Sequence, residues 1–295
     1  MNLIKPKRLK KGDTIAIIAP SGEISEEKLN NGKKYFESLG YNVALGENVL
    51  KKDRYMAGND SQRIADLEWA FKNKDVDAII CARGGYGAIR IINKIDYNII
   101  KDNPKIFCGY SDITALSLMI LKRTGLITYS SPMIKGDFQF NATNEYTIRE
   151  FFEKLTNEET NITAKNLTTY RKGNAKGILW GGNLATVASL CGQDFIPNQK
   201  FIFFCEDLNE EVYKIDKYLR QLINIDKFKK NLSAITLGEF LDANANDLDN
   251  LFREISNELK IPIYRGYKFT HSKEKTTVPI GCFATLKDGI ISTCK

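Results

Sequence analysis

This chain of 295 residues has a single histidine, His271, and that scarcity sets limits at once. It argues against a Cys/His zinc site, because such sites draw on several imidazoles or on closely spaced thiols. The six cysteines, Cys81, Cys108, Cys191, Cys205, Cys282 and Cys294, contain no Cys-x-x-Cys pair. Cys81, Cys108, Cys205 and Cys282 lie inside apolar strand patterns, where Cys behaves as a small buried hydrophobe, so reduced thiols are expected. No P-loop and no Gly-x-Gly-x-x-Gly fingerprint is present, nor any internal repeat or low-complexity tract. No apolar run is long enough to span a membrane. Basic residues from Lys5 to Lys11 precede an apolar run, but Gly12 and Asp13 interrupt it, and Ile15 to Ala19 is too short for a signal-peptide core. The expectation is a cytoplasmic protein. The net charge of +7 comes from scattered lysines, which points to solubility and not to nucleic acid.

What remains is the composition of a globular protein, with 43% hydrophobic and 27% charged residues, long enough for one large domain or two ordinary ones. Strand and helix patterns alternate from Thr14 to Tyr129 at intervals that suit right-handed βαβ crossovers. Several of the strands are apolar throughout, as strands covered on both faces must be. The fold class expected is α/β: an N-terminal Rossmann-like parallel sheet with helices on both faces over residues 1–135, and a smaller C-terminal mixed α/β domain over 177–295. Between them, 136–176 reads as a linker region with one helix near Thr147 to Leu155. The chain is expected to close with a hairpin, Ile280 to Leu286 and Ile290 to Thr293, around Asp288-Gly289.

The stretch around which the chain is organised is Ile106-Phe107-Cys108-Gly109-Tyr110-Ser111-Asp112-Ile113-Thr114. An apolar strand stops at Gly109, one serine follows, and a helical pattern begins at once. A sharp strand-to-helix turn lifts its serine out of the sheet above free helix N–H groups, as in a nucleophile elbow. The match is loose, with Ile113 where a second glycine would stand, and such a stretch taken alone is more often a plain turn with Ser or Asp capping. If the serine is a nucleophile, His271 is the one imidazole able to act as its base; otherwise it is a solvated loop residue. Glu206 and Asp207 end an apolar strand, where either could orient an imidazole or cap the following helix. Arg83-Gly84-Gly85-Tyr86-Gly87 follows a strand, and its glycines suit a phosphate nest, an oxyanion hole or a tight turn.

Together these segments resemble the LD-carboxypeptidases, serine peptidases whose relatives include microcin C self-immunity proteins. The resemblance runs nearly end to end. Its markers are Thr14 to Gly22, Ala57-Gly58 with Arg63 to Leu67, Arg83 to Gly87, and Gly109 to Thr114. It continues through Gly181 to Leu184, Glu206-Asp207, and His271 ahead of Val278 to Gly281. It implies a Ser–His–Glu triad of Ser111, His271 and Glu206, with the backbone N–H groups of Gly85 and Asp112 as oxyanion hole. It further implies a homodimer, a murein peptide substrate and no metal or organic cofactor; from charge and hydropathy, no nucleic-acid or membrane partner is expected. Two positions depart from the family pattern: Thr270 stands where Gly usually precedes the histidine, and Ser130-Ser131-Pro132 replaces His-Gly-Pro. Two other functions fit the same residues. One is an immunity-type hydrolase of peptidyl nucleotides, which needs an aromatic platform such as Trp180, a residue that fits a core role equally. The other is a non-catalytic anion-binding module.

Overall fold

The computed structural model describes residues 2–141, 143–157 and 159–293. In chain order the elements are β1 (Thr14–Ile18), α1 (Glu26–Ser38), β2 (Asn42–Leu45), α2 (Asp60–Lys72), β3 (Ala78–Cys81), α3 (Ala88–Ile91), α4 (Tyr97–Asp102), β4 (Ile106–Cys108), α5 (Ile113–Thr124) and β5 (Thr128–Ser130). They continue with α6 (Ile134–Asp137), α7 (Glu145–Thr156), β6 (Thr160–Thr163), β7 (Thr168–Arg171), β8 (Ala175–Asn183), α8 (Leu184–Ser189), β9 (Phe201–Leu208), α9 (Val212–Ile223) and α10 (Asp226–Asn231). The last are β10 (Leu232–Leu241), α11 (Ala245–Leu259), β11 (Ile263–Arg265), β12 (Val278–Ile280), β13 (Phe283–Lys287) and β14 (Ile290–Thr293).

The first sheet has the order β12-β5-β4-β3-β1-β2. Its five N-terminal strands run parallel, and β12 adds to the β5 edge antiparallel. Alternate residues of β1 serve opposite faces: Ile15 and Ile17 pack with Leu29 and Phe36 of α1, whereas Ala16 and Ile18 pack with Leu67 and Phe71 of α2. This two-sided burial is why β1, β3 and β4 carry no polar residue between Ile15 and Ile18, Ala78 and Cys81, or Ile106 and Cys108. The second sheet, β6-β14-β13-β8-β9-β10-β11-β7, is mixed: β8 to β11 are parallel and its flanks antiparallel. One apolar core joins this sheet to the α2/α5 face of the first. Helix α5 lies inside that core, with Ile113 through Leu121 all buried.

The C-terminal hairpin differs from expectation in one respect. Its turn is Asp288-Gly289, both left-handed, between β13 and β14. Val278 to Ile280, however, pairs with β5 in the first sheet before Gly281 redirects the chain into the second. A Cβ on Gly281 would lie 2.5 Å from Leu121 of α5, so this crossing needs glycine's bare backbone. The stretch 136–176 holds the expected helix, α7, and also β6 and β7, which edge the second sheet. Their short, polar sequences hide a strand pattern that only pairing reveals. Helix α2 is capped by Asn59 in a capping box with Gln62.

Trp180 is fully buried among Phe195, Phe201, Phe203 and Phe228. It therefore packs the core and offers no face to a ligand. Trp180→Ala is expected to cost about 3–5 kcal/mol in denaturant unfolding, through lost burial and the cavity left behind.

Candidate active site

The strand order 2-1-3-4-5 reverses between β1 and β3, and at that point the loops after the two strands diverge and leave a crevice. Both loops are held in place. The amide of Gly22 donates to the carbonyl of Gly84 at 3.0 Å. Buried Arg63 donates through Nη1 to the carbonyls of Pro20 (2.9 Å) and Gly87 (2.8 Å) and through Nη2 to Asp60 (2.5 Å). The guanidinium thus pins both loops from below, which accounts for an arginine with no exposed side-chain surface.

Ser111 follows β4 and carries φ of +61°, a left-handed conformation that non-glycine residues rarely adopt. The strand-to-helix turn is therefore an elbow with the strained residue at its apex. Gly84 makes room for it: a Cβ there would stand 2.8 Å from Ser111 Cβ and 3.1 Å from its Oγ. The carboxylate of the next residue, Asp112, is buried, accepts from Ser21 Oγ (2.5 Å) and the Ala88 amide (2.8 Å), and titrates above the usual carboxylate range because of that burial. The amides of Gly85 and Asp112 donate to no described residue. Gly85 itself is left-handed, at φ +110°.

His271 enters from the loop between β11 and β12. Its Nδ1 lies 2.7 Å from Glu206 Oε2. A carboxylate only accepts, so Nδ1 is the donor, and in the neutral imidazole this leaves the lone pair on Nε2. That Nε2 is buried and has no partner among the described residues. Ser111, His271, Gly84 and Gly85 line one cleft of about 310 Å³. No hydrogen bond closes between Ser111 and His271, as is common in unliganded sites. The imidazole packs edge-to-face on Tyr110, with ring centroids 4.9 Å apart.

Glu206 and Asp207 separate by the alternation of β9. Glu206 faces the imidazole, while Asp207 accepts from Asn183 Nδ2 (2.8 Å), the Ala185 amide (2.8 Å) and its neighbour Leu208 (3.0 Å). Burial, and then the adjacent Glu206 charge, push the Asp207 carboxyl up to about 6. Asp207 thus ties the β8–α8 corner to β9 and leaves Glu206 to the histidine.

The histidine loop is anchored by residues the sequence did not single out. Glu239 of β10 accepts from Lys268 (2.6 Å), Thr270 Oγ1 (2.6 Å) and Ser272 Oγ (3.0 Å). Burial works to raise the Glu239 carboxyl, but these three donors outweigh it and leave it below the usual range. Thr270 also accepts from the Ser272 amide at 2.9 Å, so its hydroxyl organises the turn at His271. Thr147 of α7 bonds the Lys273 carbonyl and the Lys275 amide, and Lys275 reaches Asp137 at 2.8 Å and the Ser272 carbonyl. Ser130 and Ser131 line, with Tyr110, Glu206, Phe269 and Thr270, a small cavity of about 10 Å³. Glu239 and Thr147 carry no signal of their own in the sequence, because each acts through a loop distant along the chain.

Gly84→Ala is expected to keep the fold, since Gly84 does not need a left-handed backbone, but to push Ser111 aside. A displacement of this size should lower turnover about a hundredfold, read as kcat/KM, and the overpacking should cost about 1–3 kcal/mol in denaturant unfolding. Asp207 predicts a pH effect. Its native pKa stands above the unfolded value, so its contribution favours the fold at low pH and is lost as pH rises from about 4 to about 6. Asp207→Asn removes this dependence. Relative to the parent, the variant should gain up to about 3 kcal/mol across that window in denaturant unfolding at several pH values.

The chain matches the LD-carboxypeptidase N-terminal domain over residues 15–131 and the LD-carboxypeptidase C-terminal domain over 176–286. It is 35% identical to the probable murein peptide carboxypeptidase of Bacillus subtilis, over 96% of this chain and 91% of that one. The muramoyltetrapeptide carboxypeptidase of Oxalobacter formigenes superposes with a TM-score of 0.89 at 31% identity, covering 96% and 99%. The MccF-like protein of Bacillus anthracis superposes with 0.92 at 30% identity, covering 99% of both chains. This chain belongs to the LD-carboxypeptidase family and is a hydrolase of the serine peptidase class.

Proposed function

We propose that the protein releases the terminal D-alanine of murein tetrapeptide during cell-wall recycling, through an acyl-enzyme on Ser111. His271 Nε2 takes the proton of Ser111 Oγ as the oxygen attacks the carbonyl carbon of the L-configured residue. The amides of Gly85 and Asp112 receive the oxyanion. Glu206 holds the Nδ1 hydrogen and stabilises the imidazolium. His271 then protonates the departing D-alanine amine, and water, deprotonated by the same imidazole, hydrolyses the ester and restores Ser111.

The observation that carries this reading is the pairing of Glu206 with His271 at 2.7 Å, which leaves a buried, unpartnered Nε2 in the cleft that holds Ser111. A solvated loop histidine would have no reason to be locked in this way. The relatives' names support the murein substrate. With Trp180 inside the core, the platform considered for a nucleobase is gone. The reading extends to a cytoplasmic homodimer. Among the described residues Cys81, Cys108, Cys191 and Cys205 carry free thiols, Cys81 and Cys108 even on neighbouring strands, which suits a reducing compartment.

Free D-alanine released from murein tetrapeptide is the test. Ser111→Ala should lower that rate about a thousandfold or more, and His271→Ala by a comparable factor, because triad members act as a unit. Near-normal release by either variant, or release of amino acid from a peptidyl nucleotide but none from the tetrapeptide, would overturn the proposal.

A further inference from the structure

The Ser111 cleft is strongly cationic, and nothing in the fold requires it to be. Lys28 from the first turn of α1, Arg83 from the loop after β3 and Lys135 from α6 all line it beside Ser111 and His271. The adjoining cavity of about 410 Å³ shares the same three residues. Lys28 and Lys135 make no ion pair with any described residue. Arg83 spends one N–H on the Glu23 carbonyl, at 3.1 Å, and none of its others on a described residue. The nearby carboxylates are already engaged: Glu23 pairs with Lys52 at 2.9 Å, and Asp137 with Lys275 at 2.8 Å. Lys135 is held below the ordinary lysine range by burial, then by the charges of Arg83 and Lys28. Three like charges opposed only by Glu23, itself paired with Lys52, leave a surplus of positive charge that is repaid when an anion enters.

The position of the cluster says which anion. In a peptide cut by Ser111, the carbonyl carbon under attack and the carboxylate carbon of a terminal residue are three bonds apart, no more than about 4 Å. A terminal carboxylate must therefore fall in the same cleft as Oγ, and that is where the three cations are. We propose that Lys28, Arg83 and Lys135 form the subsite that grips the carboxylate of the released residue and so make the enzyme an exopeptidase. Extending the peptide by one residue would replace this carboxylate with a neutral amide, and the charges would go unmatched. The inference rests on the peptidase reading of Ser111 given above.

The experiment compares murein tetrapeptide with the same peptide amidated at its C-terminus, following D-alanine and D-alaninamide release. The parent enzyme should prefer the free acid by about a hundredfold in kcat/KM, the scale expected when charge-assisted contacts are lost. In Lys28→Met/Lys135→Met the KM for the acid should rise at least about tenfold, kcat should fall by less than about threefold, and the preference for acid over amide should collapse. Arg83→Met should act in the same direction, with partial rescue in Arg83→Lys. Labelling of Ser111 by a fluorophosphonate shows that each variant is folded and its nucleophile in place. A double variant that keeps both its KM and its preference for the acid overturns the carboxylate subsite while leaving the peptidase reading intact, as does a parent enzyme indifferent to amidation. A parent enzyme that releases nothing from either peptide takes both proposals down.

Discussion

The left-handed backbone of Ser111 is the constraint on which this structure turns. A serine at φ +61° is unfavourable in isolation and persists because its surroundings leave no alternative. Below it, α5 is buried along nearly its whole length, so the helix cannot shift to relax the turn. Beside it, Gly84 is bare, and any side chain there would occupy the space of Ser111 itself. Asp112 then bonds back to Ser21 and Ala88, tying the elbow to the loops after β1 and β3. The strain is thus confined to one residue and supported by the two loops that meet where the sheet order reverses.

The second half of the chain is built to bring one imidazole to that elbow. The strand β9 supplies two adjacent carboxylates, and the period of a strand assigns them different work: Glu206 to His271 and Asp207 to the β8–α8 corner. The histidine loop has little apolar content, so it is held by hydrogen bonds from Glu239, Thr147 and Asp137, which come from three separate elements. Thr270, which departs from the family pattern, is absorbed into that network through its hydroxyl. The two sheets share one core, and β12 of the C-terminal segment completes the edge of the first. The cleft between Ser111 and His271 is therefore a seam within a continuous packing unit.

The electrostatics of the cleft divide into two parts. On the histidine side, Glu206, Asp207, Glu239 and Asp137 are each satisfied by named donors. On the side of Lys28, Arg83 and Lys135, positive charge is left unmatched. The first arrangement fixes the His271 imidazole in one orientation; the second provides an attraction that an incoming anion can use.

Much of this was legible in the chain itself. The apolar runs of β1, β3 and β4 required a doubly covered parallel sheet, because no solvated face tolerates so many consecutive branched residues. The Gly109-Tyr110-Ser111 turn and the solitary His271 stood out by chemistry and by scarcity, and they are the groups proposed to react. What no local pattern could carry was anything made by two distant segments at once. The choice of Glu206 over Asp207 depends on which face of β9 meets the histidine loop. The placement of Val278 to Ile280 in the first sheet depends on an open edge at β5. The roles of Glu239, Thr147, Lys28 and Lys135 depend on elements far apart in the chain converging on one cleft. Periodicity and turn chemistry are short-range properties of neighbouring residues and were settled by the order of amino acids; pairing, charge balance and the geometry of the cleft are long-range and were decided only when the two sheets packed together.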